Sequence, residues 1–395
     1  MQRWAILAAL TVARIAMAVQ FQSIAALAPQ MSLQFGLGFA AIGTLAGIYL
    51  LPGAIAALFG GWAGQRIGDI RTALGGLMLM ALGGFAGALV SGFEAQLFAR
   101  LVAGVGAVAL NVMLTKMAGD WFQGRSDLPA AMGILVSSWP AGLALAMLIM
   151  PYLSDTVSLS ILLMLPATLS LLAFAILGFV WRAPFVDPKG VASVGQGLGL
   201  TRAEWILIGT AGAIWGLYNV AFIAVITWSA DKLIEGGLDA VTASAAGSLI
   251  GWAAIFSVAA GGMLARSLPR PDGTALGCFI LSCAALLIFA HSGAWTGHPA
   301  VMLALGIVIG PAAAMVMTLS IEATRADVRA FGMGVYWAIY YALMGVAPAL
   351  LGALRDGTDQ VAAPLSLAAG IMGLCAVLWV VFRGLQRRIL PRTAP

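Results

Sequence analysis

A chain of 395 residues in which 62% are apolar and 9% charged, with a mean hydropathy of +1.01, does not have the composition of a water-soluble domain, where about a quarter of residues are charged. Its net charge of +5 does not mark a nucleic-acid binder, because the basic residues sit at the ends of apolar runs rather than in one patch. Cys278, Cys283 and Cys375 lie inside apolar runs without metal-ligand spacing, so neither a disulfide framework nor a metal or cofactor site is expected.

A helix needs about 20 mostly apolar residues to cross a bilayer. Breaks at charged or Gly/Pro-rich turns give twelve such spans, near 4–29, 39–62, 72–92, 96–117, 129–151, 157–181, 204–229, 240–264, 274–291, 299–321, 329–353 and 361–383. The expected fold is therefore all-α, with twelve transmembrane helices. The first span begins almost at the N-terminus with no cleavage-site pattern and is read as retained. Between the second and third spans lies a charged hairpin, Gly60 to Arg71. Shifting the chain by 201 positions sets Gly61 on Gly262, again where an apolar run closes before a basic turn, here Arg266 and Arg270. One six-helix unit is thus used twice, as pseudo-symmetric bundles over 1–181 and 204–395 joined by a polar linker at 182–203.

Topology follows from the basic residues. Of the 20 Lys and Arg, sixteen fall on one side of this arrangement, Lys232 and Arg355 fall on the other, and Arg14 and Arg100 lie inside spans. That asymmetry places both termini in the cytoplasm, with the protein in a bacterial inner membrane.

Arg14 follows Trp4 by ten residues, about 15 Å into its helix and near the middle of a hydrocarbon layer about 30 Å thick. Every Asp and Glu falls in a loop or near a helix end. A charge at mid-depth without an acidic companion faces an aqueous cavity or a polar partner. Arg14, helped by Arg100, is therefore expected to act as counter-ion to an anionic substrate group, since a guanidinium offers a planar donor fork to such anions. The alternatives are that Arg14 holds backbone carbonyls or a side-chain amide at a helix crossing and that Arg100 snorkels outward or pairs with Glu94.

Other polar groups share faces with these two. Phe21 and Gln22 follow Arg14 on the first span, and Asn111 lies on the same side of the fourth span as Arg100. On the seventh, Trp215, Tyr218, Asn219 and Phe222 stand at i, i+3, i+4 and i+7. Trp215 is the 201-residue counterpart of Arg14, so the expected pocket takes charge from one half and aromatic surface from the other. The eleventh span adds Tyr336 and Tyr340, beside Trp337 and Tyr341. Gly104, Gly106, Gly306 and Gly310 favour close helix contacts, and Pro52, Pro140, Pro311 and Pro348 favour kinks.

Twelve spans, a central linker and a Gly-x-x-x-x-Arg-x-Gly turn between the second and third spans together resemble the major facilitator superfamily. In that turn Gly61, Arg66, Gly68 and Arg71 fit the family pattern, Gln65 stands where an acid is usual, and Asp69 is the candidate substitute. Arg100, Gly104 and Gly106 match a second family pattern, and Gly133, Pro140 and Gly142 loosely match a third. The runs Phe21-Gln22-Ser23 and Ser137-Ser138-Trp139-Pro140 are similar to the cyanate and nitroimidazole transporter branch. The resemblance implies a secondary transporter working by alternating access as a monomer. The turn with Gly61, Gln65, Arg66, Gly68, Asp69 and Arg71, together with Pro140, would serve as conformational hinge.

The expected function is transport of a small anionic solute. An exporter of amphipathic or hydrophobic compounds would share the fold, and a transport-inactive sensor is a more distant alternative. An enzyme would need clustered acids, histidines or a nucleophile with its base at one depth, and the sequence offers no such cluster. A Walker-type phosphate loop is also missing from the sequence.

Overall fold

The computed structural model describes residues 2–182, 199–267, 271–293, 299–325 and 328–389, with backbone alone for 59–65, 265, 266, 271, 330 and 389. Among the described residues every regular element is an α-helix. In the first half these are α1 (Gln2–Ala26), α2 (Ala28–Phe35), α3 (Phe39–Gly47), α4 (Gly53–Ile67), α5 (Asp69–Leu89), α6 (Phe93–Phe122), α7 (Leu128–Leu153) and α8 (Leu159–Val180). The second half holds α9 (Arg202–Glu235), α10 (Ala240–Ser267), α11 (Pro271–His291), α12 (Pro299–Ile309), α13 (Pro311–Glu322), α14 (Arg329–Thr358) and α15 (Ala362–Ile389). Most of the expected linker, 183–198, lies outside the described residues.

Among the described residues, eleven spans are helical stretches long and apolar enough to cross a membrane. The twelfth, expected as one helix over 39–62, is instead α3 followed by a turn at 48–52 and then α4. Pro52 explains the break, since it has no N–H to offer the preceding turn. The tenth expected span is likewise divided at Gly310, where Pro311 starts α13. Hydroxyls serve the carbonyls around that break: Ser257 donates to Gly306 at 2.7 Å, Ser282 to Val308 at 3.3 Å and Tyr218 to Ile309 at 3.2 Å. Backbone groups freed inside a bilayer need such partners.

Within the first half α1 packs on α7 and α8, and α5 on α6 and α8; within the second, α9 packs on α14 and α15, and α10 on α12 and α13. Two seams join the halves, α3 and α4 along α14 and α7 along α10. Missing side chains set the closeness of the first seam. A Cβ on Gly43 would stand 2.1 Å from the Pro348 carbonyl oxygen, one on Gly47 2.0 Å from that of Gly345, and one on Gly352 2.1 Å from that of Phe39. In lipid, where apolar surface alone gives no preference for helix over acyl chain, such contact of small residues holds helices together. The second seam is looser: a Cβ on Gly251 would lie 3.0 Å from the Pro140 carbonyl oxygen, and Ser137 donates to Ile255 at 3.4 Å.

Charged groups occupy the helix ends. Thr201 and Glu204 form a capping box at the start of α9, and Arg325 binds the same carboxylate through its backbone N–H and its Nε, both at 3.0 Å. Arg383 joins Asp272 and Glu322 across α15, α11 and α13. Both clusters lie at the end that also carries the Arg66 to Arg71 turn, called the basic end below. Phe39 and Asp356 lie at the far end.

Candidate functional site

Arg14 sits twelve residues into α1, about 18 Å along the helix. It is half-buried, and it helps to line a cavity of about 620 Å³ between the two halves. Asn111 reaches this cavity from α6, Trp139 and Pro140 from α7, and Trp337, Tyr340 and Tyr341 from α14. From α9 come Trp215, Tyr218, Asn219 and Phe222, the stripe whose helical spacing is visible in the sequence. Three of these rings run nearly parallel: Trp215 and Tyr218 at 5.9 Å and 15°, Tyr218 and Phe222 at 6.3 Å and 5°.

Several polar atoms around the cavity are buried without a hydrogen-bond partner: Nε of Arg14, Nε1 of Trp139, Nε1 of Trp215 and Oδ1 of Asn111. The hydroxyl of Tyr336 is another, buried behind Trp215, on which its ring stacks at 6.4 Å. A guanidinium or indole nitrogen can only donate. Leaving a buried donor unserved costs about 1–3 kcal/mol. Among the described residues no carboxylate lines the cavity, so three lining residues carry a buried donor that no described acid meets.

Three other polar groups of the lining are engaged within the protein. Nδ2 of Asn111 donates to the Tyr341 hydroxyl at 2.7 Å, joining α6 to α14. Asn219 donates to the Trp215 carbonyl at 2.8 Å. The hydroxyl of Tyr218 is held by Ile309 as described above, so that residue turns its ring, rather than a free hydroxyl, to the cavity.

Arg100 departs from its expected place. Its side chain is 6% exposed, and Nε donates to the Leu45 carbonyl at 3.1 Å, Nη1 to that of Gln20 at 2.7 Å and Nη2 to that of Phe21 at 3.4 Å. The guanidinium carbon also stands 4.5 Å from the centre of the Tyr49 ring. This arginine ties α6 to α1 and to the break between α3 and α4, and it does not line the cavity. The break accounts for one of these acceptors, the Leu45 carbonyl near the end of α3, since carbonyls beside an interrupted helix need other donors; the Gln20 and Phe21 carbonyls belong to the unbroken α1.

Phe21 and Gln22 are also separated from Arg14. Seven residues further along α1, about 10 Å, they line a second cavity of about 610 Å³ toward the far end, with Phe39, Thr227, Trp228 and Asp231. Phe21 packs on Trp139 at 5.5 Å, which touches both cavities' walls. Gln22 donates to Thr227 at 3.3 Å, across the halves, and to the Met147 sulfur at 3.3 Å. Asp231 stands two residues past the expected end of its span at 229; α9 continues to Glu235, so this carboxylate, about a turn from the helix end, lies on the cavity wall.

At the expected hinge, Gly68 has φ +95°, a left-handed conformation that favours glycine. Asp69 opens α5 and pairs with Lys116 of α6, which also meets Asp120 at 3.2 Å. The turn's acid is thereby engaged within the first half. Arg66 and Arg71 are exposed, the side-chain positions of Gly61 and Gln65 lie outside the described residues, and Pro140 lies on the cavity wall rather than at the basic end. Trp139, Trp337 and Tyr341 are wall residues that sequence reasoning did not select. The signal for the last two was their place beside Tyr336 and Tyr340; for Trp139 it was the run Ser137-Ser138-Trp139-Pro140.

A family model described as Major Facilitator Superfamily matches residues 10–348. No curated protein matches the chain by sequence. Among solved structures, a bacterial homolog of the human lysosomal transporter Spinster, inward-facing and unoccupied, is similar with a TM-score of 0.69 at 16% identity, covering 98% of this chain and 96% of that one. A mutant of the nucleoside transporter NupG is similar with a TM-score of 0.73 at 15% identity, covering 96% of this chain and 99% of that one. At these identities the likeness concerns the fold.

Proposed function

This chain belongs to the major facilitator superfamily, and from that premise we propose that it is a secondary transporter whose midplane cavity takes a small anion, with Arg14 as the counter-ion. The observation that carries the reading is the unpartnered Arg14 guanidinium nitrogen on the wall of a cavity that no described carboxylate lines. An intramembrane charge in that position points to cargo. The units 1–181 and 204–395, joined through 182–203, would rock about this site so that it opens to each side in turn. Both termini and the Arg66 to Arg71 turn would face the cytoplasm of a bacterial inner membrane, and one chain would suffice. The similarity of the runs Phe21-Gln22-Ser23 and Ser137-Ser138-Trp139-Pro140 supports placement near the cyanate and nitroimidazole transporter branch.

A thermal-shift screen of the purified protein tests the reading, because a ligand that binds only the folded state raises its apparent stability. Small anions are expected to stabilise the wild type and to have no effect on Arg14→Ala. Equal stabilisation of both by neutral solutes would overturn the anion reading. The ring-lined walls would then favour the second reading, an exporter of amphipathic compounds.

A further inference from the structure

We propose that the cargo is an aromatic monocarboxylate, its carboxylate received by Arg14 and the two indole donors and its ring set against the aromatic walls. This rests on the anion reading and narrows it. The donors come from both halves, Arg14 and Trp139 from the first and Trp215 from the second, and all three carry a buried nitrogen without a partner. Together they can offer three N–H groups, and a carboxylate has about four lone-pair positions to meet them.

The charge count sets the valence. Arg14 is the sole charged residue among those lining the cavity, so a monoanion is neutralised where a dianion would keep an unbalanced charge in low dielectric. The walls select the ring. Trp215, Tyr218 and Phe222 hold near-parallel planes along α9, with Tyr340 tilted 30° from Trp215 at 6.1 Å, so a planar guest gains ring-to-ring contact that a saturated one lacks. On the same lining, Oδ1 of Asn111 is a buried acceptor without a partner, suited to a hydroxyl or amine on the ring.

Calorimetric titration of the full-length protein in lipid nanodiscs at neutral pH, with benzoate, 4-hydroxybenzoate, cyclohexanecarboxylate and benzamide as probes, separates the parts of the assignment. Benzoate and 4-hydroxybenzoate are expected to bind about tenfold more tightly than cyclohexanecarboxylate, and benzamide not measurably. Trp215→Leu is expected to narrow that tenfold gap, and Arg14→Ala and Arg14→Lys to weaken both benzoates. If cyclohexanecarboxylate equals benzoate, the aromatic assignment falls while the anion reading stands. Benzamide binding as well as benzoate, unchanged by either Arg14 variant, would remove the anion reading and this assignment together. Binding of none of the four, in protein that small inorganic anions still stabilise, would remove the aromatic assignment alone.

Discussion

Asp356, near the end of α14, caps Phe39 at the start of α3: Oδ1 accepts the Phe39 backbone N–H at 3.0 Å and Oδ2 that of Ala40 at 2.8 Å. The first N–H groups of a helix have no partner within it, and the carboxylate that serves these belongs to the other half of the chain. The cap therefore exists only while the far-end seam is shut. Loss of a side-chain cap costs about 1 kcal/mol, equivalent to about a fivefold shift in population. Asp356→Ala is thus expected to raise, about fivefold, the rate at which a membrane-impermeant thiol reagent labels a cysteine placed at Ala46 on the far cavity wall. Asp356→Asn, which keeps an acceptor oxygen, should restore much of the wild-type rate. An unchanged rate in Asp356→Ala would show that the seam closes without this cap.

The glycines of the same seam give a stronger perturbation. Any side chain at Gly47 meets the Gly345 backbone at 2.0 Å, and neither backbone can yield without parting the helices. Gly47→Leu is expected to abolish transport and leave Ala46→Cys continuously open to the reagent. Gly75 has nothing within 4 Å of its missing Cβ, so Gly75→Ala serves as the matched control and should transport normally. Normal transport by Gly47→Leu would mean that the seam is not required.

The two intramembrane arginines should separate by what their loss damages. Arg100→Ala strips donors from three carbonyls, each bond from a charged donor being worth about 1.5–3 kcal/mol, and should lower the apparent Tm by several degrees. Arg14 gives up no described hydrogen bond, so Arg14→Ala should leave Tm unchanged or raise it while ligand response disappears. The reverse ordering in thermal unfolding would exchange their roles.

Acidic residues give a test of coupling. Asp231 is the one carboxylate lining either cavity among the described residues, whereas Glu322 is bound by Arg383 and Gln386 at the basic end and Glu94 is exposed at the start of α6. Uptake into proteoliposomes is expected to keep its response to an imposed pH gradient in Glu94→Gln and Glu322→Gln and to lose it in Asp231→Asn. Loss in the first two with retention in the third would contradict this ordering.

The sequence by itself determined that the chain is an integral membrane protein of twelve apolar spans, that its basic residues gather at one end, and that Arg14 lies at mid-depth with no acid near it in its span. Span length and charge position are local properties, so they are legible without a fold. The aromatic stripe of α9 was legible for the same reason, four residues at helical spacing being a fact about one helix. Only the tertiary structure decided which faces meet. Arg14 and Arg100 both lie inside spans, yet one faces a cavity and the other serves three carbonyls, those of Gln20 and Phe21 on α1 and of Leu45 on α3, which only the packing of α6 against both helices brings within its reach. Phe21 and Gln22 share the Arg14 helix, yet they line a separate cavity with residues brought by α3 and α9. In helices that are apolar on every side, periodicity does not tell a lipid-facing side from a cavity-facing one; that is settled by the neighbours each helix acquires.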